Sequence, residues 1–371
     1  MKTVMTDRRI EIIICMIFSL CLGSCIDRFN FISDEPESML NIEGFITTVP
    51  KSHQIRISRV EKFGPEFIGL GRPVLLATVL IRDDLGRVEG LTESGSGYYS
   101  TSSDFAAEIG RSYNLEIQLL DGRRYISLKE TAIPVPDVDS VTYHSVRTVT
   151  TDRLNDEFGV QVMAHFQDPP DVENYYFWNV LESDFALITE PDLYELPFNH
   201  PTCPRCPAPK DCCSRCFHKD LPKPTNIITV SDVDFDGIYQ NRRIAYVRDD
   251  GLRFKETYRL DIQHLSVSPE THRFLRLVDQ QLRLTGSVFD PPPANIRGNL
   301  ISLDNREEQV LGQFFVSDER FLRIYIQREK LEFYLRPQTT VPDDCRNFLL
   351  QANFPMPLLS VDPPADWDPD N

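Results

Sequence analysis

Residues 113–128 read YNLEIQLLDGRRYISL, and this stretch decides the fold class. Tyr113, Leu115, Ile117 and Leu119 alternate with Asn114, Glu116 and Gln118. A period of two places the first set on one face of an extended chain and the second set on the other. Asp121-Gly122 then supplies the pair that a tight hairpin needs.

The same pattern extends outward on the N-terminal side. In HQIRISRV (53–60), Ile55 and Ile57 oppose Gln54, Arg56 and Ser58. In ATVLIRDDLG (77–86), Ala77, Val79 and Ile81 share a face before an Asp-rich turn that contains glycine. TESGSGYY (92–99) lacks the strand–nucleophile–helix setting of a hydrolase elbow, and its glycines suit a hairpin turn. Short strands at this spacing, with no helical period, predict a β-sandwich over 38–134.

TAIPVPDVDS (131–140) reads as a linker, because Pro134 and Pro136 stiffen the chain and cannot donate ladder hydrogen bonds. The region that follows, 135–355, is again β-rich. GVQVMAHFQDP (159–169) sets Val160, Val162, Ala164 and Phe166 against Gln161, Met163, His165 and Gln167. NYYFWNVLES, KETYRLDIQHL and RFLRIYIQRE are further strands. One helix is expected over 269–284, with Ser268 as N-cap and Pro269 at the first helical position. Phe274, Leu277, Val278 and Leu282 form its apolar stripe, and Gly286 is placed to end it. The acidic end, 356–371, is expected to be loose. The fold class is therefore mainly β: two sandwich-like domains, the second with one principal helix and a Cys-rich insertion at 199–222.

The chain opens with Lys2, Arg8 and Arg9 and an apolar run from Ile12 to Leu22, too short to span a bilayer but suited to a signal-peptide core. Leu22-Gly23-Ser24-Cys25 is similar to a bacterial lipobox, so 1–24 is expected to be cleaved and Cys25 to carry lipid. Cys15 and Cys21 follow Ile14 and Leu20 and fit that chemistry worse. Residues 25–37 then form a tether. Lipid chains hold because each buried methylene contributes about 0.8 kcal/mol. The net charge of −17 argues against nucleic acid as a partner and against docking on anionic lipid.

Several motifs bear on chemistry. TCPRCPAPKDCCSRCFHKD (202–220) holds Cys203, Cys206, Cys212, Cys213 and Cys216, and Cys345 lies far downstream. Cys203, Cys206, Cys213 and Cys216 have the spacing of a four-thiolate zinc site, but that leaves Cys212 unused. An even cysteine count outside the cytoplasm favours disulfides. The simplest closed arrangement has two bridges within 203–216 and one to Cys345, with adjacent Cys212 and Cys213 going to different partners. SDVDFDG (231–237) places Asp232, Asp234 and Asp236 like the start of a calcium loop, yet Arg243 stands where the closing Glu belongs. Asp168 and Asp171 are near enough in sequence for acid–base work, but among 56 acidic residues such pairs arise by chance. His165 and His264 fall in strands. HExxH, P-loop and GxGxxG motifs are absent, so no catalytic residue and no cofactor is assigned.

Three stretches carry a family resemblance: LNIEGFITT, YRLDIQHLSVSPETHRFLRLV, and GSVFDPPPANIRGNLIS with the later EEQVLGQFFVSDERFLRIYI. They resemble the Bacteroidota lipoproteins of the domain-of-unknown-function 4249 family, from about residue 25 to the C-terminus. The first domain, with RDDLGRVEGLTESGSGYYS, is also similar to transthyretin-like carboxypeptidase regulatory modules, a resemblance that implies a transthyretin- or Ig-like first sandwich. Family members tend to carry a second cysteine shortly after the one matching Cys345, whereas here RNFLL follows. The resemblance implies an outer-membrane lipoprotein, often encoded beside a TonB-dependent receptor, with no catalytic residues to carry over. The expected function is non-enzymatic binding or assembly beside such a receptor, on either side of the outer membrane. The alternative is a surface glycan-binding protein or hydrolase with an interdomain site, using converging carboxylates or exposed aromatics such as Tyr175, Tyr176 and Trp178.

Overall fold

The alternation in residues 113–119 is realised as β7 (Ser112–Gln118), with Tyr113, Leu115 and Ile117 buried. The chain turns into β8 (Arg124–Ser127) through Asp121-Gly122. There the Gly122 N–H donates to the Leu119 carbonyl at 2.9 Å, and Gly122 takes φ +89°, a left-handed backbone that glycine adopts without a Cβ clash. The computed structural model describes residues 39–60, 71–149, 156–181, 183–220, 227–283, 296–332, 339–347 and 359–370. The expected leader 1–24, Cys25, the tether and Gly286 lie outside those residues.

Around the hairpin stand β1 (Met39–Thr47), β2 (Gln54–Val60), β3 (Arg72–Pro73), β4 (Thr78–Asp83), β5 (Val88–Gly95), β6 (Tyr98–Ser100) and β9 (Glu130–Thr131). Strand β5 is shared: Val88–Leu91 pairs with β4, and Thr92–Gly95 pairs with β6. One hydrogen-bonded ribbon therefore turns a corner, and both halves face a single core. Leu40, Ile42, Ile55 and Ile57 enter that core from one half; Val79, Ile81, Leu115, Ile117 and Tyr125 enter from the other. The β5–β6 turn at Ser96-Gly97 confirms the hairpin reading of TESGSGYY.

A boundary at residue 134 omits two strands that complete this sandwich. β18 (Leu300–Ser302) pairs antiparallel with β8, and β19 (Val310–Ser317) runs parallel to β1, from Leu40↔Val310 to Thr47↔Ser317. Leu300, Val310, Phe314 and Val316 enter the same core. A parallel pair needs a long crossover, and here most of the second sandwich serves as that connection.

The second sandwich sets β10 (Ser140–Thr148), β11 (Glu157–Gln167) and β16 (Tyr239–Arg248) against a larger sheet. That sheet contains β12 (Tyr175–Val180), β13 (Ser183–Ile188), β14 (Arg215–Asp220), β15 (Ile228–Ser231), β17 (Thr257–Ser266), β20 (Glu319–Gln327) and β21 (Leu359–Ser360). β17 carries β12 and β13 end to end along one edge and β20 along the other, and every residue of β17 is buried. Val160, Val162, Ala164 and Phe166 meet Tyr176, Trp178, Tyr258, Leu260 and Ile262 in the core. The alternation read in 160–166 is thus the core face of β11.

The principal helix, α1 (Pro269–Leu282), starts as expected: Ser268 Oγ accepts from the Thr271 N–H at 3.2 Å. Its packed face differs from the apolar stripe. Thr271, His272 and Leu275 are the buried residues, Phe274, Leu277 and Val278 are half-buried, and Leu282 is exposed. The neighbours explain this. Gln313 Nε2 donates to Thr271 Oγ1 at 3.0 Å, His272 Nδ1 and Thr229 Oγ1 are 2.8 Å apart, and the Ile227 N–H donates to Asp279 at 3.0 Å. A helix seated through polar contacts leaves part of its apolar stripe at the edge.

The acidic end is not loose over 359–370. β21 pairs with β14, and the segment beyond it lies on the outer face of the larger sheet. Arg259 and Arg323 on that face bind Asp366, an attraction that the composition of the tail alone does not reveal.

Candidate binding surface: the stapled loop and the acidic turn

Between β13 and β14 the chain leaves the sheet and returns. Its prolines deny it regular strands, yet it has a ladder of its own. The Leu196 N–H donates to the Cys206 carbonyl at 2.8 Å, Arg205 to Leu196 at 3.1 Å, and Ala208 to Tyr194 at 2.8 Å. The base is fixed to the sandwich. Thr189 N–H donates to the Ser214 carbonyl at 2.8 Å, and the buried Lys255 ammonium donates to both Glu190 oxygens, at 2.7 and 3.0 Å.

The six cysteines pair as Cys203–Cys206, Cys212–Cys213 and Cys216–Cys345. Two bridges lie within 203–216 and one reaches Cys345, but the expectation that Cys212 and Cys213 seek different partners is overturned. The reason is positional. Cys216 points into the core from β14, where Cys345 meets it, and both are fully buried. Cys203 and Cys206 close a turn in which the Cys206 N–H donates to the Cys203 carbonyl at 3.4 Å. Only Cys212 and Cys213 are left for each other. With Cys203, Cys206, Cys213 and Cys216 all in bridges, the four-thiolate zinc set is not assembled.

At the loop tip Phe198 is 77 % exposed, with the Arg205 guanidinium 5.6 Å from its ring centroid. Nearer the base, the Lys210 ammonium sits 4.0 Å from the Tyr194 ring centroid. Sequence reasoning found the loop through its cysteines but missed Phe198, Arg205 and the anchors Glu190 and Lys255. An aromatic flanked by prolines between cysteines was the available signal for Phe198. Nothing near Lys255 in sequence points to Glu190.

The calcium-like turn is rearranged. Ligand atoms of Asp168, Asp232 and Asp236 lie within 4.8 Å of one another, whereas Asp234 is not part of the group. Asp168 is fully buried and spends both oxygens on the protein, accepting from Tyr176 OH and from the Gly237 N–H at 2.9 Å. Asp232, also buried, accepts from the Asn174 N–H at 2.6 Å, and burial raises its pKa. Arg243 lies on β16 opposite Met163, so the loop ends too soon to form an EF-hand. The carboxylates thus tie the turn to β11 and β12, and Asp171 stays outside the group. Of the aromatics proposed for a platform, Tyr176 and Trp178 belong to the core, and Tyr175 packs on His272 at 5.1 Å. His264 is likewise in the core, and His165 Nε2 lies 2.8 Å from Thr142 Oγ1, a diagonal neighbour on β10.

Among the described residues no helix is long and apolar enough to cross a membrane. No curated protein matches this chain. Residues 26–323 match the family described as Domain of unknown function (DUF4249), a span covering the first sandwich, the stapled loop, the helix and the joining strand β19, and the chain belongs to that family.

Proposed function

We propose that the chain is a non-enzymatic outer-membrane lipoprotein of Bacteroidota type, held by lipid on Cys25, which binds or assembles with a TonB-dependent receptor. The observation carrying this reading is the construction of the 191–214 loop. A segment rich in proline is ordered by its own ladder, by local disulfides and by a buried lysine anchor, yet it presents an exposed Phe198–Arg205 pair at its tip. Pre-ordering lowers the entropy lost on association, and an aromatic beside an arginine is the composition of an interface anchor. The lipobox supplies the tether that would keep this loop beside a membrane receptor.

Affinity purification of the native lipoprotein from membranes, with disulfides intact, tests the reading. A β-barrel receptor should co-purify with the wild type and be lost from a Phe198→Ser/Arg205→Glu variant that remains membrane-bound. Cys25→Ala should move to the aqueous phase on detergent extraction. Receptor recovery unaffected by the loop variant would remove the loop from the interface, and membrane retention of Cys25→Ala would remove the anchor.

A further inference from the structure

The outer face of the larger sheet holds two arginines aimed at one point. Arg259 on β17 donates through Nη2 to Asp184, and Arg323 on β20 donates through Nε and Nη2 to the two oxygens of Asp261, each at 2.8 Å. These anchoring acids fix both guanidinium planes and offset both charges. Each arginine keeps Nη1 for something else. The two Nη1 groups take one oxygen each of the Asp366 carboxylate, at 2.7 Å from Arg259 and 2.6 Å from Arg323. Paired guanidinium donors on a single carboxylate are a strong and directional form of acid recognition.

The contacts continue on either side of that carboxylate. Tyr325 OH donates to the Asp366 carbonyl at 3.0 Å and accepts from the Asp368 N–H at 3.0 Å. Gln327 Nε2 donates to the Pro369 carbonyl at 2.9 Å. The Trp367 ring meets Phe217 and Tyr325 edge-on, at centroid distances of 5.0 and 5.4 Å, with Arg259 5.9 Å from its centroid. Main-chain, carboxylate and aromatic positions of a short peptide are therefore each read separately.

Burial is unequal across this contact. The Arg259 side chain is 8 % exposed and that of Asp184 5 %, whereas the Asp366 side chain is 56 % exposed. The receiving half is built into the sheet, and the received half lies on top of it. Hydrogen bonds from Arg259 and Arg323 hold the Asp366 carboxyl down to about 2, so the ligand group is ionised.

We propose that this face is a peptide-recognition site for an acidic segment carrying an Asp–Trp pair, filled in cis by residues 366–369 and, by exchange of that tail, by the same segment of a second copy of this chain. The site is separate from the stapled loop and does not rest on its reading. Covalent attachment gives the cis tail an effective concentration on the order of millimolar, so a free peptide competes poorly until the tail is weakened.

The test uses the full-length chain with Asp366→Ala/Trp367→Ala, which releases the tail, and a fluorescein-labelled peptide of residues 361–371, VDPPADWDPDN. Anisotropy should show micromolar binding to the released variant and binding at least about tenfold weaker to the wild type. A peptide with asparagine in place of the aspartate before tryptophan should bind at least about tenfold more weakly, and Arg323→Gln on the released background should abolish binding. Size-exclusion of the wild type tests the exchange: a concentration-dependent dimer lost on tail release is expected, and a monomer throughout overturns occupancy by a second copy. A folded released variant that ignores the peptide, or binding indifferent to the aspartate-to-asparagine change, overturns the proposal. If the released variant does not fold, hydrogen exchange of the wild type decides. The Asp368 amide should exchange through an opening well below global unfolding, and protection equal to that of the core would make the tail an integral element instead.

Discussion

His264 shows how much one buried group can set. It is fully buried on β17, stacked on Trp178 at 5.4 Å and bordered by Phe166 and Tyr176, and neither ring nitrogen has a hydrogen-bond partner. Burial, with Arg320 nearby, holds its pKa down to about 3, so the ring is neutral. The unfolded chain, with a value near 6.5, takes up the proton first on acidification. The stability contributed is complete above about pH 6.5 and is lost progressively toward pH 3. His53 and His272, both lowered to about 4 chiefly by burial, act with the same sign. Glu130 opposes them. Burial raises it to about 7, so its contribution is complete below the unfolded value of 4.5 and is lost as pH rises through 7. His264→Phe keeps the ring and removes two unpaired polar atoms, so it should stabilise the neutral protein by about 1–2 kcal/mol. Its urea midpoint should also fall less between pH 6.5 and 4.5 than that of the wild type. Equal acid slopes in the two proteins would show that His264 does not carry this titration. Alternation placed His264 in a strand, but whether that strand face was core or surface depended on β11 and β12, distant in sequence.

Among the elements, the closure of the first sandwich depends on two glycines. A Cβ on Gly312, at φ +93°, would stand 1.9 Å from the Ile42 carbonyl oxygen, and one on Gly298 would stand 1.4 Å from the Gly312 carbonyl oxygen. Both obstacles are backbone and cannot step aside. Gly312→Ala should therefore break the β1–β19 register and cost on the order of 3 kcal/mol or more. Gly86→Ala, at φ +85° in open space, should lose only about 1–2 kcal/mol. Comparing urea unfolding of the two variants checks this, and equal losses would place the cost in φ alone. Individual strands were legible because alternation is local: β2, β4, β7 and β11 follow the positions read for them. Their partners were not, because nothing in LNIEGFITT names Val310–Ser317 as its parallel neighbour. The helix start was legible from Ser268 and Pro269, but its buried face followed polar contacts with Gln313 and Thr229 that no helical period encodes. The cysteine loop was found by composition, and its pairing was decided by which sulfurs the core had already taken.

Across the whole molecule the two cores are joined at Asp318, where β19 of the first sandwich passes directly into β20 of the second. Asp318 is 1 % exposed. Its carboxylate accepts from Thr48 Oγ1, from the Val135 N–H at 3.0 Å, from the Glu319 N–H at 3.0 Å and from Arg320 Nη1 at 3.1 Å. Its own N–H donates to Ser266 Oγ at 3.1 Å. One residue, through its carboxylate and its own N–H, thus holds the first sandwich, the linker and two strands of the second. Beside it, buried Glu319 accepts from Lys51 Nζ and from Gln263 Nε2 at 2.8 Å. Burial opposes the Glu319 charge, but these donors outweigh it and keep its pKa below the usual range. That contribution is present above the unfolded value and is lost as pH falls through the folded one. A joint of this kind should make the two cores unfold together. Both tryptophans, Trp178 and Trp367, sit in the second sandwich or on its outer sheet, so their fluorescence reports that half alone, while far-UV circular dichroism reports both. In the wild type at neutral pH the two urea transitions should coincide. Asp318→Ala leaves several buried donors and Arg320 without their acceptor, at a cost on the order of 3–5 kcal/mol. The fluorescence and dichroism transitions should then separate as each core unfolds at its own midpoint. Coincident transitions in Asp318→Ala, at an unchanged midpoint, would show that the cores are coupled through the direct passage of β19 into β20 and not through this carboxylate.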